Sequence, residues 1–122
     1  MRKSLPLLAL VLVGCIPPAP INVKRTIEGP GPEVECARAA ALAMPGVKGA
    51  IVNQMEGSAY EVLVEFAYGI DYVTVYRNPK EKTVLAGAAL PKDKNPAVLE
   101  ERTAKVNAVL DAIQSRCAAH AA

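Results

Sequence analysis

The chain has 122 residues, enough for one domain and too few for two. Its 14 basic and 12 acidic residues give a net charge of +2, and Arg2 and Lys3 account for that excess. Because the remainder is balanced, with 12 residues of each sign, it lacks the clustered excess of Lys and Arg that nucleic-acid binding requires.

Residues 1–14 have the layout of a secretory signal peptide. Arg2 and Lys3 form a short basic region, and residues 5–13 form an apolar run interrupted only by Pro6. A helix that spans a bilayer needs about twenty apolar residues, so this run is too short to be one. The chain turns to a proline-rich sequence soon after Cys15, which favours a leader that is removed.

Residues 12–15, Leu-Val-Gly-Cys, resemble the lipobox of bacterial lipoproteins. The resemblance implies that the Cys15 thiol receives a diacylglyceryl group and that a peptidase cleaves after Gly14. The new amine is then acylated, for example with palmitate, and two acyl chains suffice for stable anchoring. The resemblance covers the leader alone and identifies no family for the folded domain. The alternative is an ordinary secretory peptide, cleaved before Ile21, that leaves Cys15 unmodified.

The resemblance also bears on which membrane holds the protein. Ile16 stands where lipoproteins that stay at the inner membrane often carry aspartate. In a cell with two membranes we therefore expect the outer membrane, with the domain facing the periplasm.

Residues 15–31 are rich in proline and show little apolar periodicity. They predict a lipidated tether that, at ~3.1 Å per residue in polyproline II geometry, reaches at most about 50 Å from the membrane. A single small domain is then expected over residues 32–122.

The domain is predicted to open with a helix. Gly31 is its expected N-cap, Pro32 its first residue, and Pro45-Gly46 its end. Its apolar stripe is expected to comprise Cys36, Ala40, Ala43 and Met44.

After this helix the apolar period changes to two, which predicts four strands over residues 47–55, 60–66, 72–77 and 83–88. Short turns between them require antiparallel neighbours. Asn95 is expected to cap a last helix that has Pro96 at its first position. The apolar face of that helix is Leu99, Val106, Val109, Leu110, Ile113 and Cys117. The sequence therefore predicts an α+β fold, a four-stranded antiparallel β-meander flanked by an N-terminal and a C-terminal helix packed on one face.

Cys36 and Cys117 fall on the predicted apolar stripes of the two helices. The lipoprotein route delivers a chain to an oxidising compartment in Gram-negative cells, where two remaining cysteines tend to pair. We therefore expect a disulfide between them. The alternative is two separate buried thiols that pack as small hydrophobic groups.

The candidate contact surface is the open face of the predicted sheet. If Tyr60, Val62, Val64 and Phe66 face the helices, alternation places Leu63 on the open side, where Tyr72, Thr74 and Tyr76 are also expected. Exposed tyrosines are frequent in protein interfaces, and they are equally common as cross-strand packing. The candidate protein-contact residues are Leu63, Tyr72 and Tyr76.

We find no pattern that predicts catalysis. His120 is the sole histidine, so neither a Ser-His-Asp arrangement nor a histidine-based metal site is expected. Glu61 and Glu65 are about 13 Å apart at ~3.3 Å per strand residue, too far for a carboxylate pair. Gly29 and Gly31 follow no predicted strand, which argues against phosphate binding. We therefore expect no enzyme activity, no metal and no cofactor.

The leading functional hypothesis is an anchored accessory module that contacts another envelope protein through the open sheet face. The alternative is a small-molecule-binding lipoprotein with a pocket between the helices and the sheet. An exposed apolar patch favours the first, and a closed cavity of several hundred Å³ favours the second.

Overall fold

The computed structural model describes residues 19–27, 31–55, 59–68, 72–78, 84–91 and 94–117. The predicted signal peptide, Cys15, Ile16 and His120 lie outside the described residues. The elements in chain order are β1 (Ile21–Thr26), α1 (Val34–Leu42), β2 (Val47–Gln54), β3 (Tyr60–Phe66), β4 (Tyr72–Asn78), β5 (Val84–Ala89) and α2 (Pro96–Cys117). The fold is α+β, with two helices and one antiparallel sheet.

The sheet has five strands in the order β1-β5-β4-β3-β2, so the prediction of four was wrong. The additional strand, β1, comes from the segment predicted as tether, and it pairs with β5 from Ile21 opposite Ala89 to Thr26 opposite Val84. Ile21 and Val23 are half-buried between exposed neighbours. Their burial supplies a reason for this segment to join the sheet. The folded unit therefore includes Ile21–Thr26 and does not start at Pro32.

Both helices pack on one face of the sheet, as predicted. Helix α1 contacts β2 and β3, α2 contacts β5, β1 and β4, and the two helices contact each other. The core between these layers is built mainly from small aliphatic side chains. Its fully buried larger members are Val62, Val64, Val73, Val75, Leu85, Val106, Val109, Leu110, Ile113 and Cys117.

Gly87 lets α2 approach the sheet closely. A Cβ added at this position would lie 2.7 Å from Val106 Cγ1, which is closer than real Cβ contacts come. Since Val106 is fully buried and its β-branched side chain is stiff, α2 and β5 leave no room for another methyl group here.

The helix starts follow the prediction in one case and depart from it in the other. Asn95 Oδ1 accepts a hydrogen bond from the Ala97 backbone N–H at 2.9 Å, which confirms the predicted cap of α2. Helix α1 instead begins at Val34, and its N-cap is Glu33, with no side-chain cap hydrogen bond. The expected cap, Gly31, was therefore wrong.

The apolar stripe predicted for α1 is confirmed in part, because Ala40 is buried and Cys36 and Met44 pack against the core. Ala37, Ala40 and Ala41 are the buried residues of the helix, whereas Ala43 is exposed. These small side chains allow α1 to lie close to the sheet.

Cys36 and Cys117 form a disulfide, as predicted. Their Cα atoms are 5.9 Å apart, within the ordinary range for such a bond. The bond joins the beginning of α1 to the last residue of α2 across 81 positions of sequence. It therefore ties together the two helices that cover the sheet.

Candidate functional site

The candidate site lies on the sheet face opposite the helices. On this face Leu63, Thr74 and Ala88 lie side by side across β3, β4 and β5. Tyr76 and Tyr72 flank Thr74 along β4, with 39% and 48% of their surfaces exposed. Two small side chains, those of Thr74 and Ala88, therefore lie between larger ones.

This arrangement produces a groove of about 640 Å³ on the open face. Its lining residues come from β1, β3, β4, β5 and the segments next to them, with one further side chain from α2. They are Pro20, Asn22, Leu63, Tyr72, Thr74, Tyr76, Ala88, Ala89, Leu90, Pro91 and Arg102. The groove is neither an enclosed cavity nor a flat patch, and most of its lining side chains are apolar or aromatic.

The three predicted contact residues, Leu63, Tyr72 and Tyr76, all line this groove. Their placement confirms that strand alternation puts them on the open face. The sequence did not predict the opposite side of the groove, which comes from Ala88, the chain that follows β5 and the unforeseen strand β1. The sequence pattern that could have predicted β1 is the apolar alternation of residues 21–27, but the prolines on both sides of this segment favoured a linker instead.

Arg102 brings positive charge to one end of the groove. It lies on α2 and is buried, and its Nη1 donates a hydrogen bond to the Leu90 carbonyl at 3.1 Å. This bond fixes the turn that leaves β5 and keeps Leu90 and Pro91 at the groove rim. A buried guanidinium at this position also favours a ligand with carbonyl or carboxylate oxygens at that end.

The carboxylates on the open face are engaged with neighbouring side chains. Glu65 forms an ion pair with Lys48 Nζ at 3.1 Å, and Glu61 accepts a hydrogen bond from Asn53 Nδ2 at 3.4 Å. Neither carboxyl group is buried, and the strand separates them by four residues. Their surroundings are those of a solvated surface next to the groove.

Metal ligands and nucleophiles do not gather in the described part of the chain. Among those residues, no group of three or more His, Cys, Asp or Glu side chains is placed to hold a metal ion. Cys36 and Cys117 are bonded to each other, so neither provides a thiolate.

Tyr60 lies on the helix side of the sheet, and its pKa is shifted. Burial raises its pKa to about 12, and the Arg77 guanidinium, 5.9 Å from the ring, opposes that rise. The Tyr60 hydroxyl donates a hydrogen bond to the Pro32 carbonyl at 2.8 Å. Tyr60 therefore holds the chain ahead of α1 in place and is not part of the groove.

Helices of the described residues offer no candidate membrane span. Comparisons of the chain with protein-family models, with curated proteins and with solved structures gave no match, so the groove is interpreted from its own geometry.

Proposed function

We propose that this protein is a lipid-anchored, non-catalytic module of the cell envelope that binds an extended segment of another protein in the groove of its open sheet face. The leader that ends at Cys15 supports the anchor. The groove lined by Leu63, Tyr72 and Tyr76 is the observation that carries the binding role.

The shape and chemistry of the groove favour an extended peptide. Tyr72 and Tyr76 are about 13 Å apart along β4 at ~3.3 Å per residue, the length of about four extended residues. Aromatic rings beside a shallow apolar floor accept aliphatic and proline side chains, and phenol hydroxyls bond to peptide carbonyls. The Arg102 guanidinium adds a donor at one end of the groove.

A small-molecule ligand is the second candidate, because the groove volume of about 640 Å³ lies within the range of ligand pockets. The groove lies on the opposite face of the sheet from the pocket that the sequence suggested. Between the layers, α2 and β5 are closely packed, because a Cβ added at Gly87 would lie 2.7 Å from Val106 Cγ1.

Site-specific photo-crosslinking in intact cells tests the binding role. A photoreactive phenylalanine analogue at Tyr76 should form a discrete adduct with one envelope protein. The matched control is the same analogue at Asn53, which lies on the open face in the same row of side chains but outside the groove. Identical adducts from both positions would contradict a specific groove.

Binding of the captured segment then identifies the groove as its site. The purified segment should bind the unmodified chain at least ~10-fold more tightly than the Thr74→Arg variant, whose long side chain fills the groove floor. Asn53→Arg, the matched control, should bind like the unmodified chain. Equal affinity of the Thr74→Arg variant would refute the assignment, provided that circular dichroism shows it folded.

The anchor is tested separately by the mass of the N-terminal peptide from membrane fractions. We expect Cys15 to carry diacylglyceryl and acyl groups, and Cys15→Ser to abolish both the modification and the cleavage. An unmodified N-terminus would refute the anchor and leave the groove experiments intact.

A further inference from the structure

Strand β1 shortens the connection between the proposed anchor and the folded domain. The sequence alone suggested a tether that extends to residue 31, but β1 begins at Ile21. Six residue steps separate Cys15 from Ile21, and a fully extended chain covers at most about 3.6 Å per step, or roughly 20 Å. The domain is therefore held close to the lipid surface.

The direction of β1 determines which end of the domain lies nearest the membrane. Ile21 pairs with Ala89, the last residue of β5, and Thr74 pairs with Ala88, so the same end holds Leu90 and the start of β4 at Tyr72. We call this end of the sheet the anchor end. It comprises Pro20, Tyr68, Tyr72, Leu90 and Pro91.

The anchor end carries the most exposed large hydrophobic side chains of the described residues. Tyr68 is 88% exposed and Leu90 is 73% exposed. They come from different connections, Tyr68 after β3 and Leu90 after β5, and both lie at the end of the sheet where β1 begins. A tyrosine and a leucine left in water at the membrane-proximal end match the preference of such side chains for the lipid headgroup region.

We infer that the anchor end rests on the bilayer, with Tyr68 and Leu90 in the headgroup region and the groove opening beside the membrane. This inference rests on the proposed anchoring through Cys15. The occupant of the anchor end is the phospholipid surface itself. The groove partner would then be bound within reach of the membrane.

Tryptophan fluorescence tests the orientation cleanly, because the chain contains no tryptophan. The chain from Cys15 onward, the product of the proposed cleavage, contains every described residue. With Cys36 and Cys117 bonded, Cys15 holds its one free thiol, and this thiol couples to a maleimide lipid in vesicles of phosphatidylethanolamine and phosphatidylglycerol. The probe is Tyr68→Trp. The matched control is Met55→Trp, because Met55 is 45% exposed and lies at the opposite end of the sheet.

Lipids brominated near the top of their acyl chains should quench Tyr68→Trp by about twofold and shift its emission to the blue, because interfacial side chains reach only the headgroup and upper acyl region. Met55→Trp should show neither effect. Adding Leu90→Lys to the Tyr68→Trp variant should reduce the quenching, since it removes the second apolar contact.

Equal quenching of the Tyr68→Trp and Met55→Trp variants, or no quenching of either, would overturn the orientation. Because the anchor is supplied chemically, this result does not depend on whether cells modify Cys15. Failure of the proposed anchoring would appear instead in the N-terminal mass, so the two failures are distinguishable. Since Tyr68 is so exposed, its replacement leaves the core untouched, and Leu90→Trp provides an independent second probe.

Discussion

Removal of the Cys36–Cys117 disulfide should cost much of the stability of the domain. The bond spans a sequence separation of 81 residues. In the chain-entropy model, closing a loop of this length lowers the entropy of the unfolded chain by an amount worth about 4.5 kcal/mol at 25 °C. Small domains have total unfolding free energies of about 5–15 kcal/mol, so the reduced chain is expected to be only marginally stable.

Equilibrium urea unfolding with and without reductant measures this cost. With a slope of about 1.5 kcal/mol/M, the loss of 4.5 kcal/mol moves the midpoint down by about 3 M. The control is Cys36→Ala/Cys117→Ala, whose unfolding curve should not respond to reductant. In Cys36→Ser the melting temperature should fall, and thiol titration under denaturing conditions should find one more free thiol than in the wild-type chain, that of Cys117. Superimposable curves for the wild-type chain with and without reductant, once mass spectrometry shows the bond reduced, would refute the reasoning.

Three further predictions concern β1, the contact between α2 and the sheet, and Tyr60. Arg25→Ala should destabilise the domain by about 1.5–3 kcal/mol and speed hydrogen exchange in β1, because charged hydrogen bonds to α2 are lost. Arg25→Lys should recover only part of the lost stability, and unchanged exchange in β1 of Arg25→Ala would exclude this role for Arg25. Gly87→Ala should lower the free energy of unfolding, measured in urea, by about 1–3 kcal/mol, because the added methyl group clashes with Val106. Gly49→Ala should lower it less, since a Cβ there meets no atom within 4 Å. The reverse order would contradict the close packing of α2 on β5. Between pH 10 and about 12 the unfolded chain loses the Tyr60 phenol proton while the folded chain keeps most of it, so the free energy of unfolding should fall by about 2 kcal/mol over that range. Tyr60→Phe should lack this component, and equal pH dependence of both chains would refute it.

Local periodicity was enough to predict the helix-facing core of the sheet. Tyr60, Val62, Val64 and Phe66 alternate with Glu61, Leu63 and Glu65, and in β3 the first set is buried and the second is half-exposed. The same period placed Tyr72 and Tyr76 on the open face. Short connections then required antiparallel neighbours for β2 to β5, and the structure has them.

Strand β1 was not predicted from the sequence, because its partner β5 is the last strand of the chain and local spacing carries no signal of that pairing. Ile21 and Val23 carry the alternation, but the prolines before and after them indicate a linker. Tertiary contacts decide between these signals. Arg25 of β1 donates hydrogen bonds to Asp111 and Gln114, at 2.6 Å each. These bonds attach β1 to α2, which is more than 80 residues away in the sequence.

The groove was only half predictable for a related reason. Leu63, Tyr72 and Tyr76 follow from the pattern of their own strands. The rim at Leu90 depends on Arg102, whose spacing from Leu99 and Val106 puts it on the apolar face of α2 but whose charge gave no reason to expect burial. A buried arginine that bonds to a distant carbonyl has no signature in local sequence spacing.

Strand β1 also determines how the domain would respond to tension on the proposed membrane attachment. A pull on Cys15 reaches the fold at Ile21, along the strand axis, and its hydrogen bonds to β5 run perpendicular to that axis. The force is then shared in shear by all six residue pairs and does not open them one after another. Arg25, near the C-terminal end of the strand, adds further resistance, because β1 cannot slide past β5 until the hydrogen bonds of Arg25 to Asp111 and Gln114 break. If the chain is anchored through Cys15 as proposed, its attachment to the fold therefore resists extraction by such a force.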